Sequence, residues 1–229
     1  MHGGWGGGWE WRAVADLLVA GGHEAYRPSL TGHGERRHLA NAAVDLDTHI
    51  ADIVNLLDIE ELVDVVLVGQ SYGGAVVTGA ADRAPARIGH VAYVDAFVPR
   101  DGESVNALSP PAFASRLRTL AAEHGDGWAA PVPFASDELG TPPELAEWYF
   151  AKLVPQSLAT LEQPLRLTGA IDRIPRTFID CATDPGRSIF RRFAERAQAE
   201  GWRCRALPVG HDAQVIAPDR LAGLLVELA

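Results

Sequence analysis

Apolar positions along the chain switch between a helical and an extended period. Trp9, Val14, Leu17 and Leu18 share a helical face across residues 9–20, and Gly21-Gly22 ends that pattern. Ile50, Ile53, Val54 and Leu57 repeat the pattern across 45–57. Asp45 and Asp47 lie in the first turn of that segment, where negative charge suits the positive end of a helix dipole. Apolar runs predict strands at 63–68, 88–94, 175–181 and 202–209, and residues 23–30 are read as a short strand leading into a turn at 31–34. Residues 75–81 read as a buried helix, and 187–200 and 218–228 as two more. Helices alternating with strands imply a mostly parallel sheet covered on both faces.

Between residues 100 and 173 this rhythm breaks. Helical patterns at 112–124 and 143–153 flank a Pro/Gly-punctuated stretch at 125–134, and no clear apolar strand occurs. The segment is too long for a structureless loop. It reads as a helical cap inserted between residues 1–99 and 174–229, which together form an α/β core.

The start of the chain departs from this scheme. Residues 1–9, Met-His-Gly-Gly-Trp-Gly-Gly-Gly-Trp, form a glycine-rich loop of the kind that follows an apolar strand, yet no strand precedes it. Met1 is expected to stand where a strand-ending Val belongs, with a short strand missing or truncated upstream. Without that strand the sheet has an exposed edge.

Composition narrows the function. At 229 residues, 47% hydrophobic and 22% charged, the chain has the make-up of a soluble globular domain, with no apolar run near the ~18 residues of a membrane span. No basic-then-apolar signal opens it, so a cytoplasmic location is expected by default. A net charge of -10 argues against nucleic acid, whose phosphates need a basic surface. Lys152 is the single lysine among 20 basic residues, which reads as GC-rich coding. Cys181 and Cys204 make neither a disulfide framework nor a metal site and read as reduced thiols in strands. No metal cluster or dinucleotide fingerprint is present, and no cofactor is expected.

One stretch carries chemistry. Gly69-Gln70-Ser71-Tyr72-Gly73-Gly74 joins the apolar run at 63–68 to the helix at 75–81. A strand, a sharp Gly-bounded turn with a central Ser, and a helix are the context of a nucleophile elbow. A Ser hydroxyl then needs a base and a group to orient that base. Of eight histidines, His211 stands after the last strand and before the last helix, the best position for the base. His23, His38, His49, His90 and His124 read as surface or helix residues, and His33 as one able to line a pocket. Two acids lie beyond strand ends. Asp184 follows the penultimate strand and has the better position relative to His211; Asp95 follows the strand after the elbow. The backbone N–H groups of Tyr72 and Gly4 are expected to form an oxyanion hole.

His2-Gly3-Gly4-Trp5, Trp9-Glu10-Trp11, residues 31–36, residues 69–74, residues 94–99 and Gly210-His211-Asp212 together resemble the α/β-hydrolases related to methyl-salicylate esterases and plant hydroxynitrile lyases, nearest their bacterial esterase branch. That resemblance implies an α/β-hydrolase fold, a helical cap that forms the substrate pocket, and the acid at Asp184. The lyases of that family carry Thr after the first His and Lys after the catalytic one. This chain has Gly3 and Asp212 there. Asp212 has the wrong sign to stabilise departing cyanide, so the resemblance implies hydrolysis of a small carboxylic ester. Gly3, Trp128, Phe134, Trp148 and Asp212 are expected to line the pocket, whose aromatic residues point to an apolar or aromatic ester. A lyase or cyclisation step in the same site, or an inactive binding protein, are the competing readings.

Overall fold

A computed structural model describes residues 1–183 and 188–229, with the side chains of 136 and 137 outside the description. After the glycine-rich loop, a 3₁₀ turn, Gly8–Trp11, enters helix α1, Arg12–Ala20. Helix α2, Leu46–Ile59, begins at a capping box: the Thr48 N–H donates to Asp45 Oδ1, and the Asp45 N–H donates back to Thr48 Oγ1. Strand β1, Val65–Ser71, leads into α3, Gly73–Arg83, followed by β2, Ile88–Ala96. Then come α4, Pro111–His124; β3, Ala129–Ala130; α5, Pro143–Phe150; β4, Gln156–Ser157; and α6, Leu158–Glu162. The alternating pattern resumes with β5, Arg176–Asp180; α7, Arg191–Ala199; β6, Arg203–Ala206; α8, Ala213–Ile216; and α9, Pro218–Val226.

The main sheet runs β1-β2-β5-β6 with every neighbouring pair parallel. Period-2 alternation divides its side chains between two cores. Val91, Tyr93 and Phe178 face α2, α3 and α7 through Ile50, Val76 and Phe193. Ala92, Val94 and Ile179 face α1 and α9 through Val14 and Leu221. The sheet is covered on both faces, as the element order implies.

Between β2 and β5, β3 and β4 form a small antiparallel pair. Trp5 ties this region to the N-terminal loop. Its indole Nε1–H donates to Ala130 O at 2.9 Å, its backbone N–H donates to Gln156 Oε1 at 3.1 Å, and its carbonyl accepts from Val154 N–H at 2.8 Å.

The strand expected at 23–30 is not formed; the segment carries no regular secondary structure. At the neighbouring sheet edge Met1 pairs with the outer side of β1: its amine donates to Val68 O, and its carbonyl accepts from Gln70 N–H at 3.1 Å. Below Met1 a cleft of about 390 Å³ separates Val65–Val68 from residues 23–28. Segment 23–30 therefore faces a gap, and Val65–Val68 stay only half-buried. The Met1 amine is buried, and burial pushes its pKa down to about 5 despite the charge of Glu10.

An apolar extension of five residues joined to Met1 is expected to fill this cleft as a strand and replace the buried amine with a peptide N–H. Melting curves of the extended and unextended chains check this. A rise of roughly 5 °C or more is expected, since a domain of this size gains about 2–4 °C per kcal/mol.

Candidate active site

Tight packing builds the elbow. β1 ends at Ser71 with φ +53°, a left-handed backbone that a non-glycine residue adopts only when its surroundings enforce it. The enforcing contacts are close. A Cβ on Gly69 would sit 2.6 Å from Gly73 O; one on Gly73 would sit 2.5 Å from His2 O; one on Gly74 would collide with Phe97 O. Three glycines let strand, helix, N-terminal loop and the end of β2 converge on one serine.

The end of β2 is bent to match. Gln70 pairs with Val94 and Ser71 with Ala96, so Asp95 is an unpaired bulge residue, with φ +43°. The bulge aims its carboxylate at the loop after β6. There His211 Nδ1 lies 2.7 Å from Asp95 Oδ2, and both side chains are largely buried. A carboxylate only accepts, so Nδ1 carries the proton and Nε2 is the acceptor. Gln70 Nε2 donates to both His211 Nε2 and His211 O, each at 3.1 Å. Phe190 stacks flat on the imidazole at 4.9 Å and 7°. Burial works against the imidazolium, but the Asp95 bond and the charges of Asp95 and Asp212 outweigh it and hold the His211 pKa above its ordinary value.

Ser71, Asp95 and His211 line one cavity of about 460 Å³ with Phe97, Phe113 and Phe134. Gly4 and Tyr72 flank the elbow, a Cβ on Gly4 falling 3.8 Å from Tyr72 Cβ. Gly3, Gly4, Phe134 and Asp212 border a second, small cavity that also touches Ser71 and His211. Trp128 and Trp148 line neither cavity. Trp148 instead packs edge-on against Trp9 at 5.3 Å, under the Lys152 ammonium, and is 45% exposed. Helical spacing in α5 turned it outward and Tyr149 inward. Asp184 lies outside the described residues; the other sequence candidate, Asp95, is the one whose carboxylate the structure describes against His211. No group of metal-ligating side chains occurs among the described residues.

Three histidines beneath the elbow have a role that sequence reasoning missed. His2, His33 and His49 are all buried, with ring centroids 5.3 Å and 5.4 Å apart in succession. His33 therefore belongs to the support of the site and lines neither cavity. His49, read as a surface or helix residue, accepts from Tyr72 Oη at 2.8 Å and donates to Thr31 O at 2.9 Å. His2 donates through Nδ1 to Gly3 O at 2.7 Å and accepts the Leu30 N–H at 3.1 Å, which fixes the loop carrying Gly4. These roles need neutral rings, and burial supplies them, lowering His2 to about 3, His49 to about 4 and His33 well below the usual value. Gln70, Phe190 and Glu10 were missed as well. Glu10 and Gln70 sit inside quoted motifs, but no spacing rule marks their roles.

A parallel sheet, a strand-turn-helix serine and a buried carboxylate-histidine pair after later strands define an α/β-hydrolase. The chain belongs to the alpha/beta hydrolase family, whose model matches residues 1–224. It is similar to a carbendazim hydrolyzing esterase of Nocardioides sp. (strain SG-4G), 38% identical over 100% of this chain and 97% of the relative. It is also similar to a pyrethroid hydrolase of Sphingobium wenxiniae, 25% identical over 100% of this chain and 86% of the relative. A solved extracellular alpha/beta-hydrolase from a Paenibacillus species superimposes with a TM-score of 0.89 at 23% identity, covering 100% of this chain and 97% of that one, and shows the same fold. No helix among the described residues is long and apolar enough to cross a membrane.

The buried histidines set an acid limit on stability. Their pKa values are depressed in the folded state, so the unfolded chain binds more protons below about 6.5. Stability is complete above that pH and falls below it, with His49 ceasing to contribute near 4 and His2 near 3. Glu10, Asp212 and His211, whose pKa values are raised, work in the opposite sense, so the ring protons of His2, His33 and His49 followed by NMR isolate this contribution. All three rings should stay neutral from pH 7 to pH 5; protonation near 6.5 would contradict neutral burial.

Proposed function

We propose that this ester-hydrolysing member of the family works through Ser71 as nucleophile, His211 as general base and acid, and Asp95 as the residue that orients His211. The observation carrying this reading is the 2.7 Å contact between Asp95 Oδ2 and His211 Nδ1 at the wall of the cavity that Ser71 opens onto. Asp95 holds the tautomer whose Nε2 accepts the Ser71 proton, and stabilises the imidazolium that results. The Ser71 oxygen attacks the ester carbonyl. The N–H groups of Gly4 and Tyr72 take the oxyanion, with Tyr72 at the positive N-terminal end of α3. His211 returns the proton to the departing alcohol. Water, deprotonated by the same nitrogen, releases the acid from the acyl-enzyme.

Residues 100–173 act as the cap. Val105, Phe113, Phe134 and Leu161 come from this segment and face Phe97 and Phe190 across the cavity. A volume of about 460 Å³ with mostly apolar walls fits a small apolar or aromatic ester. Relatives named as a carbendazim hydrolyzing esterase and a pyrethroid hydrolase support a small-molecule substrate.

Ser71→Ala is expected to lower kcat for p-nitrophenyl acetate by roughly 10⁶, as removal of a triad nucleophile does. Asp95→Asn should cost on the order of 10⁴ by favouring the wrong tautomer. Asp184→Asn is the control: collapse of activity there, with Asp95→Asn active, would move the acid to 184. The pH profile gives a second check. His211 is held above its ordinary value, so kcat/KM should fall as pH drops through a point above 6.5. In any residual activity of Asp95→Asn that limb should move to lower pH.

A further inference from the structure

We propose that Asp212 is a specificity residue that accepts a hydrogen bond from an N–H or O–H group one or two bonds from the ester carbonyl, so that donor-bearing esters are the preferred substrates. This deepens the serine-hydrolase reading and rests on it.

The small cavity beside Ser71 measures about 30 Å³ and is bordered by Gly3, Gly4, Tyr149, His211 and Asp212. That space accommodates one small polar group. A carbonyl placed between Ser71 and Gly4 would put its immediate substituent there.

Asp212 is 3% exposed, and its Oδ2 has no hydrogen-bond partner among the described residues. Its position does not otherwise explain it. Asp212 caps α8 through its backbone carbonyl, which accepts from Val215 N–H at 2.8 Å and Ile216 N–H at 3.0 Å, and its side chain takes no part. A buried acceptor left unpaired is costly, so one kept at the wall of a reactive cavity calls for a donor from the ligand.

The residues behind it keep Asp212 an acceptor. Glu10, also 3% exposed, accepts from Tyr149 Oη and from Gln214 Nε2, each at 3.3 Å. Burial raises the pKa of Glu10 well above the carboxylate range, and the charge of Asp212 raises it further. Burial raises Asp212 too, but the neighbouring His211 and the Tyr149 hydroxyl oppose that rise. Of two buried carboxyls around one tyrosine, Glu10 is held further toward its protonated form, and the His211 charge favours Asp212 as the acceptor. A methyl group in the donor's place would both lose the bond and bury the carboxylate against carbon.

Two pairs of methyl esters test this: methyl N-phenylcarbamate against its N-methyl analogue, and methyl mandelate against its α-methoxy analogue. For each pair the ratio of kcat/KM is measured in the native enzyme, Asp212→Ala and Asp212→Asn. Intrinsic ester reactivity cancels when ratios are compared across variants. In at least one pair the preference for the donor should fall roughly 10–100-fold in Asp212→Ala, the range for a bond to a charged acceptor, and by less in Asp212→Asn. The pair that responds tells N–H from O–H. Ratios within about twofold of native in both pairs would overturn the proposal. Asp212→Asn is isosteric and carries the test alone if Asp212→Ala does not fold. Fluorophosphonate labelling of Ser71 separates the two levels. A native enzyme that labels but shows unmoved ratios defeats only the role of Asp212. A native enzyme that does not label defeats the serine reading and this one together.

Discussion

The site depends on one backbone hydrogen bond, from the Phe97 N–H to the Ser71 carbonyl at 3.0 Å. It joins the ends of two parallel strands that have both left regular geometry, β1 at Ser71 and β2 at the Asp95 bulge. Each departure is unfavourable alone, because a left-handed backbone at a non-glycine residue costs on the order of 1–3 kcal/mol. Locked together, they place the Ser71 hydroxyl and the Asp95 carboxylate at the same end of the sheet. His211 then needs only to lie between them, and Phe190 and Gln70 hold its ring there. The rigidity comes from paired backbones, which suits a reaction that requires preorganised groups.

The opposite wall is held by different means. The loop carrying Gly3 and Gly4 has one residue of sheet pairing, at Met1, and otherwise depends on side chains. His2 bonds it to Leu30, and Trp5 bonds it to the segment that walls the cavity. Burial makes these imidazole bonds strong while the rings stay neutral and costly once they are protonated. The proposed oxyanion donor thus depends on buried polar groups where the nucleophile depends on a sheet.

Much of this was legible in the sequence. The helical and extended periods gave the order of elements, because amphipathic faces record which side is buried. The elbow was legible because Gly69, Gly73 and Gly74 mark places where a Cβ does not fit. His211 followed from chain order. The segment at 23–30 was misread because its residues of mixed polarity carry no firm period, and it faces a cleft beside β1. Trp148 was placed in the pocket on aromatic content, whereas helical phase put Tyr149 inside.

The proposed acid and the proposed specificity group were less legible for a common reason. Asp95 is aimed by a bulge, a shift in register between the pairs Gln70–Val94 and Ser71–Ala96 that leaves no periodic trace in either strand. Asp212, Tyr149 and Glu10 meet from three distant parts of the chain, and each has an ordinary local explanation as a turn, a helix or a motif residue. Two buried carboxyls become chemically informative only when the third dimension shows them around one hydroxyl, beside a small cavity with an acceptor unpaired. The serine elbow is fixed by local chain geometry and can be read as a motif. The groups proposed to act with it are fixed by long-range packing, and there the physical accounting of unpaired buried atoms points to what a motif does not.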